Sequence, residues 1–253
     1  METSRWLKRI ERLFFPARCA CCGCVIPAGE LLCPDCGAGL PRVEEPVCPR
    51  CGRGRAWCVC DGRETAYERI VAPFYYEGAV RRGILRMKYG RHSTAAAGLA
   101  GFVGEAAARA YRELAFDCVT PVPMRPAEKR TRGFNQSALL AREISRRFAV
   151  PCRETLRKRT DTKPQHRCAA GERRQNVRGV YEALPGKPGR VVLLVDDVVT
   201  TGATLDECAR ALRAAGAETV CCAAVACVRL RKSPGAAAQG VAAHSGAKGE
   251  ISL

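Results

Sequence analysis

Ten of the seventeen cysteines in this 253-residue chain fall between Cys19 and Cys60, and their spacing limits what that stretch can become. Cys19 with Cys22, Cys33 with Cys36 and Cys48 with Cys51 are CxxC pairs, and Cys58 with Cys60 is a CxC pair. Such pairing is the spacing of metal ligands, because a CxxC turn presents two sulfurs to one ion. No signal peptide is legible at the N-terminus, so a disulfide framework is not the expectation. Residues 1–63, rich in Cys, Pro and Gly, have too few apolar residues to fold on their own core, and bound metal is expected to hold them. Cys19, Cys22, Cys33 and Cys36 form one candidate zinc site, and Cys48, Cys51, Cys58 and Cys60 a second. Cys21 and Cys24 also form a CxxC that overlaps the first, so either pair could serve; which of the four knuckles share a metal is open at this level, and one or two zinc ions fit the pattern. Closed all-cysteine sites leave no position for water, which makes the expected zinc structural.

From Glu64 the pattern changes to alternating strand-like and helix-like stretches, the mark of an α/β domain with a largely parallel sheet and helices on its faces. Strands are expected at Ile70–Tyr76, Cys118–Val122, Val191–Val195 and Thr219–Val225, each short, apolar and rich in Val or aromatic residues. A helix is expected over Gln136–Phe148, where Leu140, Ile144 and Phe148 recur on one face. Another follows Val195, where Leu205, Cys208, Ala209 and Leu212 repeat that spacing and Gly216 stands as its C-terminal cap. The organisation expected is a cysteine module over 1–63, an α/β domain over 64–232 and a disordered Gly- and Ala-rich tail over 233–253. No stretch approaches the roughly 18 apolar residues of a membrane span, so a cytoplasmic protein with no membrane insertion is expected. Trp6, Ile10, Leu13 and Phe14 mark a short amphipathic helix that would dock on the body. The later cysteines, such as Cys208, Cys221 and Cys222, lie in apolar patterns and read as core. His92, His166 and His244 are isolated and read as no one's ligands.

The segment VVLLVDDVVTTGATL carries the chemistry. It sets two carboxylates, Asp196 and Asp197, at the carboxyl end of a buried strand, then a Thr- and Gly-rich turn, then a helix. Open α/β sheets bind ligands beyond the carboxyl ends of their strands, and the N–H groups of a turn entering a helix attract phosphate. Gly202 permits the tight turn, and Thr200, Thr201 and Thr204 add hydroxyl donors. The two carboxylates can accept hydrogen bonds from the vicinal hydroxyls of a ribose or hold Mg2+ through water. No GxxxxGK[ST] and no GxGxxG after a strand is present, which removes ATPase and dinucleotide readings. The net charge of +17 fits a polyanionic partner, either a heavily phosphorylated small molecule or a nucleic acid.

That segment resembles the phosphoribosyl pyrophosphate motif of type I phosphoribosyltransferases. With YEGAVRRGILRMKYG, PVPMRPAEKRTRGFNQS and RKRTDTKPQHRCAAGERRQNVRGVY in this order, and with the cysteine module, the chain resembles the ComF/GntX competence family from about Phe14 to Val228. The resemblance implies a type I phosphoribosyltransferase-like sheet with a small N-terminal zinc-ribbon-like module. It implies ribose contacts at Asp196 and Asp197, a 5′-phosphate cradle over Thr200, Thr201, Gly202, Ala203 and Thr204, and a pyrophosphate loop of Lys88, Tyr89 and Gly90. Arg125, Lys129, Arg130 and Arg132, ahead of Gly133, Asn135 and Gln136, would form a flexible basic flap, with Arg132 touching substrate. Arg157, Arg159, Gln165, Arg173 and Asn176 extend the basic polar set. The resemblance favours Cys19 and Cys22 over Cys21 and Cys24, since they follow Phe15 and Pro16, but it leads one to expect CxxC where Cys58 and Cys60 stand.

The function implied is a Mg2+-dependent transferase that moves phosphoribose to an acceptor for which no base pocket is legible. The alternative from another class is a competence module gripping single-stranded DNA electrostatically, with a non-catalytic or sensory phosphoribosyl pyrophosphate site and with competence or recombination proteins as partners. At 6% aromatic residues, stacking platforms would be sparse, so such binding would be steeply salt dependent.

Overall fold

The computed structural model describes residues 16–60, 64–89, 93–159, 179–186 and 188–230. The expected N-terminal amphipathic helix, Gly90, the three histidines, Gln165, Arg173, Asn176 and the tail lie outside these residues. In chain order the elements are α1 (Pro34–Ala38), β1 (Ile70–Val71), β2 (Phe74–Tyr75), α2 (Gly78–Tyr89), α3 (Ser93–Ala110), β3 (Cys118–Pro121), α4 (Pro126–Arg132) and α5 (Gln136–Phe148). They continue with β4 (Leu156–Lys158), β5 (Tyr181–Ala183), β6 (Val191–Val199), α6 (Ala203–Ala214) and β7 (Thr219–Cys227).

A five-stranded sheet has the order β1, β7, β6, β3, with β2 also pairing β7, and these pairings are all parallel. Alternate residues of its central strands go to opposite faces, as the pleat dictates. Leu193, Val195, Cys221, Ala223 and Val225 pack with α2, α3 and α5, whereas Val192, Leu194, Cys222 and Ala224 pack with Leu205, Cys208, Ala209 and Leu212 of α6. Burial on both faces explains why these strands read as unbroken apolar runs. Cys208, Cys221 and Cys222 are buried in these two cores, as their apolar context implies.

All four expected strands differ in their bounds from the sequence reading, Cys118–Val122 by one residue, since β3 stops at Pro121. Ile70–Tyr76 divides into β1 and β2 around Pro73, which has no N–H to give the ladder. β6 runs past Val195 through both carboxylates to Val199, because β7 itself extends to Cys227 and keeps pairing beside it. Charge ended the apolar pattern before backbone pairing ended. The expected basic flap is a helix: α4 begins with Pro126 at its first position and closes on Gly133 in the left-handed conformation. Lys129, Arg130 and Arg132 fall in its last turn, where cations meet the negative end of the helix dipole. An antiparallel pair of β4 and β5, which no sequence pattern indicated, lies against α6.

α5 occupies its expected span. Its cap is Asn135, whose Oδ1 accepts from the Ser137 N–H at 3.0 Å while its Nδ2 donates to the Val122 carbonyl, also at 3.0 Å. The cysteine module is seated on the helices of the sheet domain. A Cβ at Gly83 would lie 2.9 Å from the Ala20 carbonyl, and one at Gly98 would lie 2.6 Å from the Ala20 Cβ, so small residues on α2 and α3 admit the first knuckle. Cys19, Cys21, Cys33 and Cys36 join the hydrophobic cluster that includes Phe74, Leu99 and Val103, so packing supplements metal in holding this module. Among the described residues no helix is long and apolar enough to cross a membrane.

Candidate functional site

The carboxyl end of β6 brings the predicted carboxylates, lysine and phosphate turn together. β3 pairs with β6 only as far as Pro121 opposite Val195, while β7 continues alongside with Ala224 opposite Asp196 and Ala226 opposite Val198, so Asp196 and Asp197 stand at the end of an internal strand just beyond where β3 stops. The Lys88 ammonium, near the end of α2, lies 2.6 Å from Asp197 Oδ2. Ser137 at the start of α5 donates to Asp196 Oδ1 at 2.9 Å, and the Asp197 N–H donates to the same oxygen at 2.9 Å.

Burial pushes the Asp196 carboxyl up to about 7, and the neighbouring Asp197 charge pushes the same way against the hydrogen bonds and Lys88. Burial works against the Lys88 charge, but Asp197 and Asp196 outweigh it and hold its pKa above the ordinary lysine value. The site therefore contains one carboxyl that is easily protonated and one ion pair. A ligand offering hydroxyl donors or a cation to both carboxylates would relieve the first and compete for the second.

Val199 leads into Thr200 and Thr201, and Gly202 turns the chain at φ 76 into α6. Thr201 Oγ1 accepts from the Ala203 N–H at 3.4 Å, and Asp206 N donates to the Gly202 carbonyl at 2.9 Å, the first bond of the helix. Unpaired N–H groups at such an entry form an anion site. The basic helix α4 stands beside the lysine: the Arg132 guanidinium lies 5.8 Å from the centre of the exposed Tyr89 ring. Gly90, the remaining residue of that predicted loop, lies outside the described residues.

Sequence reasoning did not single out four residues in or beside this arrangement. Ser137 holds Asp196, and Lys158 stands 5.3 Å over the ring of Tyr181 on the β4–β5 pair. Burial, helped by the nearby Arg125 charge, lowers the Lys158 pKa. The fourth is Arg53, 1% exposed, whose guanidinium donates to the Thr200 carbonyl. Ser137 follows the N-cap asparagine and could have been read as part of the cap; an arginine in a Gly-Arg-Gly run carries no signal of burial.

In the cysteine module the sulfurs of Cys19, Cys22, Cys33 and Cys36 lie within 4.8 Å of one another, as do those of Cys48, Cys51, Cys58 and Cys60. The CxC pair thus joins the CxxC pair before it despite the missing residue. Burial would raise the Cys19 thiol, but the N–H groups of Cys22, Cys33 and Cys21 overcome it and bring it down to about 6. The Cys24 N–H likewise lowers Cys22. Cys21 is buried, and desolvation with the Cys19 charge pushes it up to about 12. Cys24 is exposed and sits 3.3 Å from Cys22, outside the four-sulfur group. Four sulfurs at this separation fit structural zinc in both clusters, and in the first the N–H groups at Cys19 and Cys22 also favour the thiolate.

Two domain families match the chain: the Phosphoribosyl transferase domain over residues 135–238 and the Double zinc ribbon domain over residues 10–69. The chain is 30% identical over 208 residues to the DNA utilization protein YhgH of Escherichia coli O6:H1, covering 80% of this chain and 86% of that protein. It is 30% identical over 220 residues to Competence protein F of Haemophilus influenzae, covering 82% of this chain and 95% of that protein. Competence protein ComFC of Streptococcus pneumoniae is 27% identical over 202 residues, covering 75% of this chain and 84% of that protein.

Proposed function

We propose, since the chain belongs to the ComF competence family, that it binds phosphoribosyl pyrophosphate with Mg2+ through Val191–Leu205 and transfers phosphoribose to an acceptor. The observation that carries this reading is the pair Asp196 and Asp197 at the end of an internal parallel strand, followed by the Gly202 turn into α6 and faced by Lys88. Asp196 and Asp197 accept hydrogen bonds from the two ribose hydroxyls. The N–H groups and hydroxyls of Thr200, Thr201, Gly202, Ala203 and Thr204 hold the 5′-phosphate. Lys88, with Tyr89, Gly90 and Arg132 of the neighbouring segments, faces the pyrophosphate.

In the transfer, the acceptor's lone pair forms a bond to ribose C1 while the C1–O bond to pyrophosphate breaks, and the bonding electrons leave with pyrophosphate. Mg2+, when bound to the pyrophosphate, neutralises part of the departing charge. Lys88 supplies a fixed positive charge at the same place, and Asp196 and Asp197 hold the ring as it becomes oxocarbenium-like. Acid–base work by the protein is small, since positioning and charge carry the step. The reducing cytoplasm, where thiols persist, suits both clusters.

Calorimetric titration of Mg-phosphoribosyl pyrophosphate into the zinc-loaded protein tests the reading, with Asp196→Asn/Asp197→Asn as control. Saturable binding that the double variant loses is the expected result; a folded wild-type protein that releases no heat overturns it. The second reading, a single-stranded DNA module with a sensory site, draws on the net charge of +17 and on the names of the relatives. It requires DNA affinity that falls steeply with salt.

A further inference from the structure

Arg53 follows directly on the Cys48–Cys51 knuckle of the second cluster, in the run Cys51, Gly52, Arg53, Gly54. The knuckle pins its backbone: Gly52 N donates to the Cys48 carbonyl at 2.9 Å, and Cys48 N donates to the Arg53 carbonyl at 2.8 Å. Close packing requires the flanking glycines. Gly52 has φ 70, and a Cβ on Gly54 would lie 2.8 Å from the Glu44 carbonyl. The side chain then runs into the sheet domain, where its Nε donates to the Val228 carbonyl at 2.7 Å and its Nη2 donates to the Thr200 carbonyl. A buried guanidinium that meets main-chain carbonyls at the ends of two strands must be fixed in place, because each lost bond strands a charge or a carbonyl away from water.

The Thr200 carbonyl belongs to the first peptide unit of the phosphate turn. In a trans peptide the C=O and the following N–H point in opposite directions, so drawing the Thr200 carbonyl toward the cysteine module turns the Thr201 N–H away from it. A second strut acts on the same turn. The Tyr67 hydroxyl donates to the Arg50 carbonyl, in the knuckle itself, at 2.6 Å, and it lies 3.1 Å from where a Cβ on Gly202 would stand. Among the described residues, a cavity of about 30 Å³ is lined both by Cys51, Cys60 and Arg53 of the cysteine module and by Tyr67 and Gly202.

We propose that Arg53 is a positioning residue for the phosphate turn, and that the metal state of the Cys48, Cys51, Cys58 and Cys60 cluster sets, through it, how well that turn binds phosphate. The orientation claim stands on the geometry alone, and the affinity claim rests on the function proposed above. Hydrogen exchange measured by mass spectrometry on full-length, zinc-loaded protein separates the two. In Arg53→Met, peptides covering 197–206 should exchange at least about tenfold faster, the loss of roughly one charged hydrogen bond, while peptides within α5 stay protected and the zinc content is unchanged. Arg53→Lys, which keeps a charge but has one donor nitrogen in place of the guanidinium fork, should recover part of the protection. Cys60→Ser, which leaves Arg53 untouched but opens the cluster, should loosen the same peptides. Affinity for Mg-phosphoribosyl pyrophosphate should fall in the order wild type, Lys, Met.

Turn exchange in Arg53→Met equal to wild type overturns the proposal, and so does loosening spread evenly over the whole chain. If Arg53→Met does not fold, Arg53→Lys and Cys60→Ser decide by the same peptides. A wild-type protein that binds no Mg-phosphoribosyl pyrophosphate overturns the ligand reading and leaves the exchange result to decide the positioning. Wild-type binding that Arg53→Met matches overturns the affinity claim while the ligand reading stands.

Discussion

The Lys88 ammonium lies 2.6 Å from Asp197 Oδ2, so the charge proposed to meet pyrophosphate is held by the carboxylate proposed to meet ribose. The pair keeps the lysine in place and charged before any ligand arrives. Lys88→Ala should therefore weaken Mg-phosphoribosyl pyrophosphate binding by roughly 10- to 100-fold, the value of a hydrogen bond to a charged group. Calorimetry on the folded variant checks this, and an affinity within a factor of two of wild type would remove Lys88 from the site.

Asp196 makes the ligand-free protein less stable as pH rises. Its folded pKa is about 7, against roughly 3.9 for an unfolded aspartate. The folded state holds the proton more tightly, so stability is greatest below the unfolded value and is lost as pH climbs through the folded one. Asp196→Asn should raise the melting temperature of the ligand-free protein, little at pH 4 and most at pH 8. Three pKa units set an upper limit of about 4 kcal/mol, reduced by water at this part-exposed residue. A gain that is the same at pH 4 and pH 8 would show that the carboxyl is not perturbed.

The two sulfur groups predict about two zinc ions per chain by elemental analysis, one for each cluster. Cys22→Ala should drop one ion and lower the melting temperature sharply. Cys21→Ala should retain both, since that thiol is buried and pushed up to about 12. The opposite pattern would mean that the overlapping CxxC carries the metal.

Asn135 both caps α5 and holds the Val122 carbonyl at the end of β3. Asn135→Ala should cost roughly 1.5–3 kcal/mol in urea unfolding, one cap plus one orphaned carbonyl. A solvated polar residue would cost within about 0.5 kcal/mol.

The legible parts of the chain are those where a local pattern and the tertiary fold agree. α5 has a capping asparagine, a regular apolar face and a charged remainder, and it occupies its predicted span. β6 and β7 read as buried strands because the sheet is covered on both faces. α3 was not legible. Its run of Ala and Gly offers little polar contrast, since small residues serve close packing there: Gly98 and Gly101 admit the cysteine module and Gly104 admits Arg147. Arg53 was invisible for another reason. A buried arginine and a solvated one look alike in sequence, and its partners are main-chain carbonyls far along the chain. The β4–β5 pair is too short to show a period.

The sheet order also governs when this protein can fold during synthesis. β7 joins β1 and β2 to β6, yet among the described residues it is the last strand to leave the ribosome. Until Thr219–Cys227 emerges, β1 and β2 lack their parallel partner, β2 having only the antiparallel bridge from Phe74 to Arg42, and Arg53 waits 175 residues for the Val228 carbonyl. A nascent chain halted before Thr219 would hold its cysteine knuckles and helices without the strand that unites them. Closure is thus a late event built on distant contacts, the kind that folds slowly and leaves strand edges open meanwhile.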